Sequence, residues 1–201
     1  MASFNAIAAV SRAILGLLED SYPRSLFGRL EFSLVHPAVF DETQAARASD
    51  GVTLCLWCVT PNGTLRQRGP RLATDGRRFR PSLPLDLHYL ITPWANNVEK
   101  QQRMLGWLVR RLADMAVLPA AELNRRLDIN DVFAADEQVE LVQDAPVVAD
   151  WLAIWDKLKP RLQSSALYLA RGIAIDSDIP MAEGDPVTER RFDFLSPRSE
   201  T

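Results

Sequence analysis

The chain has 201 residues, 47% of them hydrophobic and 24% charged, with a formal charge of −3. That is long enough for one domain with a proper core, short for two, and outside the composition of a disordered chain. A weakly acidic balance excludes general attraction to nucleic acid or anionic lipid, and no apolar run nears the roughly 20 residues that a bilayer span needs.

The N-terminus lacks a basic n-region, and Ala6 to Leu18 is broken by Ser11, Arg12 and Gly16, so no leader is read there and cytoplasmic synthesis and assembly are expected. Ile7, Val10, Ile14, Leu17 and Leu18 recur at helical spacing and predict a helix from about Ser3 to Glu19, with Ser3 as its cap. Pro23 marks Ser21 to Gly28 as a connection. Leu30, Phe32 and Leu34 alternate with Glu31 and Ser33, giving a first strand that ends near Pro37. Asp41 to Gly51 is polar and turn-rich. Val52 to Thr60 is dense in β-branched, aromatic and aliphatic residues and reads as a buried strand, closed by the turn signal Pro61-Asn62-Gly63. Leu65 to Pro84 follows no period.

Leu83, Leu85, Leu87, Tyr89 and Ile91 then fall on one strand face, with Asp86, His88 and Thr92 on the other and Leu90 breaking the alternation. After Pro93 the period becomes helical. Val98, Leu105, Leu108, Leu112 and Met115 form a stripe flanked by Glu99, Lys100, Arg103, Arg110 and Arg111, with Asn96 or Asn97 as cap and Pro119 as stop. A short helix is expected within Pro119 to Leu127, and a strand at Gln138 to Gln143. A further helix runs from a capping Asp144 to about Leu158, with Pro146 in its first turn, Val148, Trp151, Leu152, Trp155 and Leu158 as apolar face, and Pro160 as its end. Ala166 to Ile175 is a last strand with Leu167, Leu169, Ile173 and Ile175 facing one way. Beyond Asp176 the chain is acidic and poor in core pattern, although Arg191 to Leu195 has the alternation of a short strand. The expected fold is α/β (α+β): one domain over 1–176, a mixed sheet of four to five strands covered by amphipathic helices, and an extended or partly disordered tail at 177–201.

Signals for chemistry are sparse. Cys55 and Cys58 form CLWC, but residues three apart on a strand lie about 10 Å apart on opposite faces, whereas a disulfide needs Cα atoms within ~7 Å. No further pair of suitably spaced ligands completes a zinc site, so buried structural thiols are expected. No phosphate-binding glycine loop, zinc-protease motif or nucleophile elbow occurs. His36 precedes a proline at a strand end, and His88 lies opposite the core stripe as a solvated or hydrogen-bonded side chain. Asp128, Asp131, Asp136 and Glu137 lack the spacing of a calcium loop and read as a polar surface loop. No catalytic, cofactor or metal residue is assigned.

Arg66, Arg68, Arg71, Arg77, Arg78 and Arg80 face the single acid Asp75 in the irregular stretch. Guanidinium groups bind carboxylate or phosphate bidentately. A solvated loop is the plainest reading, docking on an acidic protein comes next, and nucleic-acid contact third, because only Phe79 offers a stacking surface. Trp107, Trp151 and Trp155 read as core packing. Trp94, between a strand-ending proline and a helix cap, anchors either an interface or the domain's own core.

LCLWCVTPNGTLRQRG, LPLDLHYLITPWANNVEKQQRMLGWLVRRLADMAVL and VELVQDAPVVADWLAIWDKLKPRLQSSALYLARGIAID together resemble the N-terminal domain of the cap proteins that terminate the tubes of phage-tail-like contractile injection systems. The marks are the L-x-L-x-Y-L strand ending in T-x-W, the helix around Leu105-Gly106, and W-x-x-L followed by a proline and a strand; the match reaches about Asp176. The resemblance implies a structural, non-enzymatic protein similar to phage tail terminators, with no cofactor. It would form a hexameric ring whose partners are its own copies, the tube protein and the sheath protein, with no membrane and no specific nucleic acid. A free sheet edge would accept a sheath arm, and the protein would assemble in the cytoplasm into a particle that is later released.

Overall fold

The computed structural model describes residues 2–36, 50–65, 69–73, 75–127, 129, 132–145, 149, 152–153, 156 and 163–181. In chain order the elements are α1 (Ala6–Ser21), the one-turn α2 (Arg24–Phe27), β1 (Glu31–Leu34), β2 (Gly51–Pro61), β3 (Arg71–Leu72), β4 (Arg78–Phe79), β5 (Leu83–Trp94), α3 (Val98–Asp114), β6 (Val117–Pro119), α4 (Ala120–Asn124), β7 (Gln138–Asp144) and β8 (Ala166–Ile175). One sheet has the order β1-β2-β5-β8-β7-β6, antiparallel except where β1 runs parallel to β2, and β3 and β4 form a separate ribbon. The expected mixed α/β domain is present with six strands in place of four or five. The addition is β6, whose three residues are too few to show a period.

Helices α1, α3 and α4 cover one face of this sheet. Their Ile14, Leu18, Met104, Leu108, Leu112 and Leu123 pack on Leu54, Leu87, Tyr89, Ile91 and Ile173 in one continuous core. Burial of a side chain of this size stabilises by about 1.5–3 kcal/mol, so this layer is the main source of stability. Helix α1 is buried on most of its circumference, with alanines at 6, 9 and 13 allowing close approach. Its start differs from expectation. Ser3 lies in a preceding turn, where its carbonyl accepts the Ala6 N–H and its hydroxyl the Asn5 N–H, so the helix begins at Ala6. Tyr89 joins the layers: its hydroxyl donates to Ser11 Oγ at 2.8 Å, because Ser11 itself donates to Ile7 O. Burial holds that phenol well above its ordinary pKa.

Helix α3 buries a different set of residues from the stripe read in the sequence. Met104, Leu108 and Leu112 are fully buried and Leu105, Trp107 and Met115 partly so, whereas Val98 is 68% exposed in the first turn, before the helix reaches the sheet. Asn97 is the cap, its Oδ1 accepting the Lys100 N–H at 3.0 Å. The helix ends at Asp114, five residues before Pro119, which closes β6. The expected short helix is α4. Asp144 is the last residue of β7; Ala149, Leu152, Ala153 and Asp156 are helical, with Leu152 exposed, while Pro146, Val148, Trp151, Trp155, Leu158 and Pro160, and with them the start of that helix, lie outside the described residues. So do most of the turn-rich stretch before Gly51, Asp128, Asp131 and the segment Arg191 to Leu195.

Two bulges overturn simple alternation. On β8 the register with β5 steps from Ile173 opposite Leu85 to Ala170 opposite Leu87, so Arg171 and Gly172 together face Asp86. Gly172 has φ +88°, a conformation that glycine adopts without penalty. The phase therefore flips there: Ala166, Tyr168, Ala170 and Ile173 face the helices, while Leu167 belongs to the other face, so the four residues expected on one side are divided. On β2 the register slips at Trp57, leaving Cys55 opposite Leu90 and Cys58 opposite His88. Both cysteines therefore share a face, contrary to the alternation expected of an unbulged strand. They are free thiols, and burial pushes Cys55 up to about 11.

Candidate interaction surface

The two sheet edges differ in what they offer. Along β1, Glu31 N–H donates to Asp50 O at 3.1 Å and Val35 N–H to Leu54 O at 3.0 Å. With a two-residue repeat, the backbone groups of Phe32 and Leu34 point away from β2. Among the described residues no strand pairs with them. Beside this edge opens a concavity of about 750 Å³, whose wall includes Tyr22, Arg24, Arg29 and Phe32. The Tyr22 and Phe32 rings lie 5.1 Å apart, and the Arg24 guanidinium sits 5.5 Å from the Tyr22 ring. The opposite edge, β6, is short and ends in Pro119, which has no N–H; such an edge resists strand addition.

The arginine stretch is a ribbon at the sheet end where β2 stops and β5 starts, and the chain after β8 adds to it. Arg80 N–H donates to Ile179 O and Met181 N–H to Arg78 O, bracketing the pair Phe79–Pro180. Its inward face is occupied. Arg71 donates to Ser177 O at 3.2 Å, lies 3.6 Å from Asp176 and stacks 4.4 Å from the Phe79 ring, with Arg77 at 5.5 Å from the same ring. Arg77 also pairs with Asp75 at 2.7 Å. Arg78 and Arg80 are exposed and make no ion pair among the described residues. Arg66 and Arg68 lie outside those residues. The described arginines thus divide by role: Arg71 ties the ribbon to the sheet, Arg77 pairs with Asp75, and Arg78 and Arg80 are exposed.

Trp94 lies on the face of the sheet opposite α1, α3 and α4, against Cys55, Leu90 and Leu167, and its Nε1 donates to Thr53 Oγ1 at 2.8 Å. The side chain is half-buried there. His88 Nε2 lies 3.0 Å from Thr60 Oγ1, the hydrogen-bonded arrangement expected. Thr60, His88 and Asp144 stand in the order of nucleophile, base and orienter, yet the 3.6 Å between His88 Nδ1 and Asp144 exceeds a hydrogen bond. His36 is exposed. The turn at Asn62 is held from within: buried Asn62 donates to Asp86 Oδ1 at 2.8 Å and accepts from Thr64 N–H and Leu65 N–H, both at 2.9 Å.

Asp50 ties the start of β2 to α3, accepting the Lys100 ammonium at 2.7 Å and the Asn96 N–H at 3.1 Å. The Lys100 hydrogen bond, helped by Asn96, holds its carboxyl below the usual range against partial burial. A lowered folded pKa contributes stability above the unfolded pKa and loses it as pH falls through the folded value. Asp50→Asn is therefore expected to lower stability by about 1 kcal/mol at neutral pH and to converge with the parent in acid. Thermal melts of both proteins across that range check this, and a gap that persists in acid refutes it.

Sequence reasoning placed Phe32 and Leu34 on a strand without marking it as an edge and did not single out Leu72, Ile179 and Met181, because alternation cannot say which strand is left unpaired.

Residues 9–189 match the Pvc16 N-terminal domain. Among solved structures, the chain is similar to the sheath/tube terminator of PVC, an extracellular contractile injection system, in its extended state. The identity is 16%, the TM-score 0.57, and the match covers 97% of this chain and 65% of that one. It is similar also to the tube terminating cap of the anti-feeding prophage, at 15% identity and TM-score 0.58, covering 94% of this chain and 63% of that one. The chain thus spans just under two thirds of each terminator's length, and at these identities the likeness is one of fold. No curated protein matches it. Sequence match and fold agree over nearly the whole length: the chain belongs to the Pvc16 N-terminal domain family.

Proposed function

We propose that this chain is a structural cap, contributing shape and contact surface, that terminates the tube and sheath of a contractile injection particle. The observation that carries the reading is the fold shared with two terminators over 97% and 94% of its length. Six copies close head to tail around the tube axis, since heterologous contacts of fixed rotation form rings. The backbone of Phe32 and Leu34 on β1, which no described strand pairs, receives an extended arm of the adjoining sheath subunit as an added strand, and the Tyr22–Phe32 concavity takes one of its side chains. Residues 1–176 are the cap domain and 177–201 an acidic, extended tail whose first residues pair with the β3–β4 ribbon. The ring assembles in the cytoplasm and leaves with the particle.

Deleting the gene is expected to give particles of uncontrolled length or with unstable sheaths in electron micrographs, restored by the chain supplied in trans. Particles of normal length with intact sheaths in the deletion strain reject the role.

A further inference from the structure

Strand β1 and the concavity beside it form one surface, and strand geometry fixes how an added segment meets it. The backbone groups of Phe32 and Leu34 point away from β2, and no described strand pairs with them. A segment that bonds to them is therefore extended and runs alongside β1. Residues that stand opposite one another on paired strands share a face of the sheet. Phe32 and Leu34 stand opposite Val52 and Leu54, which face the helices, so both point to that side. The added residue opposite Phe32 lies there too, where the concavity opens. Two positions along, the residue opposite Leu34 meets a leucine that is 37% exposed. Those opposite Glu31 and Ser33 turn to the other face.

The walls of the concavity decide what fills it. Charge does not select the occupant, because the walls carry two cations, Arg24 and Arg29, and two carboxylates, Glu19 and Glu31. Tyr22 and Phe32 supply the distinctive part. Their rings are tilted by 46° with centroids 5.1 Å apart, and both are only half-buried. A third ring gains an edge or offset contact with such a pair, which an aliphatic side chain cannot make. Aromatic side chains also bring large contact area with few rotatable bonds to fix. At about 750 Å³ the concavity has room for the largest of them.

We infer that β1 selects, in the segment it receives, an aromatic side chain opposite Phe32 and an aliphatic one two residues along, opposite Leu34. The inference rests on the strand addition proposed above and names the chemistry of the partner: an extended segment of alternating apolar pattern with one aromatic anchor. Tyr22 and Phe32 set the preference, while the backbone of β1 supplies affinity without regard to side chain.

Fluorescence anisotropy of labelled peptides against the purified chain tests this. Each peptide alternates threonine with valine between terminal lysines and carries Trp, Leu, Glu or Lys at one central valine position. A further Trp peptide is N-methylated on alternate residues, so that it cannot bond to the edge. The Trp peptide is expected to bind roughly fivefold tighter than the Leu peptide. The Glu and Lys peptides bind more weakly than Leu, and the methylated peptide does not bind. Tyr22→Leu and Phe32→Leu, with circular dichroism confirming the fold, bring the Trp peptide down to the level of Leu, whereas Arg29→Glu leaves the ranking unchanged. Equal binding of the Trp, Leu and Glu peptides overturns the inference and keeps the strand addition. Binding led by the Glu peptide and lost in Arg29→Glu overturns it in favour of an anion site. Failure of every peptide, or Trp binding undiminished by methylation, overturns it together with the strand addition. The cap role is judged separately, by the particles of the deletion strain.

Discussion

Gly51→Ala is expected to loosen strand β1 from the sheet and to cost about 2–3 kcal/mol. Gly51 stands opposite Glu31 in the parallel pair and opposite Trp94 on its other side. A Cβ at this position would lie 2.2 Å from the Glu31 carbonyl oxygen and 3.1 Å from both Glu31 C and N. These are backbone atoms, so no rotamer change relieves the overlap, and the strand itself has to move. By contrast a Cβ at Gly16 meets the Arg126 side chain, which can swing aside at the cost of its hydrogen bond to Gly16 O. Hydrogen exchange reads the outcome residue by residue. The amides of Glu31 and Val35, which donate to Asp50 O and Leu54 O, should lose protection, while those of α3, β7 and β8 keep theirs. Unchanged protection at Glu31 and Val35 would show that the edge tolerates the methyl. Under the proposed function the same variant should also fail to hold the sheath at the particle's end, because the accepting edge is displaced.

Asn62→Ala should be the most damaging polar substitution among the described residues. Asn62 is 3% exposed, and its amide satisfies three partners at once: the carboxylate of Asp86 and the N–H groups of Thr64 and Leu65. Its own N–H donates to Pro84 O at 3.0 Å, which ties the turn to the start of β5. Alanine keeps that backbone bond and removes the other three, leaving two N–H groups and a carboxylate to find water. The expected loss is about 2–4 kcal/mol, read as a lowered denaturant midpoint at unchanged slope. Asn62→Asp, close in size, should be no milder at neutral pH, since it sets a second carboxylate against Asp86 and removes the donor. A variant within experimental error of the parent would mean that the turn is held by its strands alone.

Much of the fold was readable from the chain because burial writes periodicity into sequence. The stripe of Leu105, Leu108 and Leu112 and the alternation of Leu85, Leu87, Tyr89 and Ile91 each named an element and its inward face. Readings failed where a local exception carried no pattern. The bulges at Trp57 and at Arg171–Gly172 reversed the phase of Cys58 and of Ile173, and an alternation count has no means of registering an inserted residue. Val98 was counted on the stripe because helical spacing says nothing of where a helix first meets its sheet. For the arginines, composition marked the stretch correctly as basic, yet the difference between Arg71 and Arg78 depends on Asp176, about a hundred residues away in the chain.

By itself the sequence determined the class of fold, the helix-and-strand order, the lack of familiar catalytic motifs and the family likeness, all of which follow from local composition and spacing. Tertiary structure decided which strands became edges, which arginines were consumed in tying the ribbon down, and which side chains were left to face solvent. Those outcomes depend on pairing between segments far apart in the chain, and a free edge is defined by what fails to pair with it.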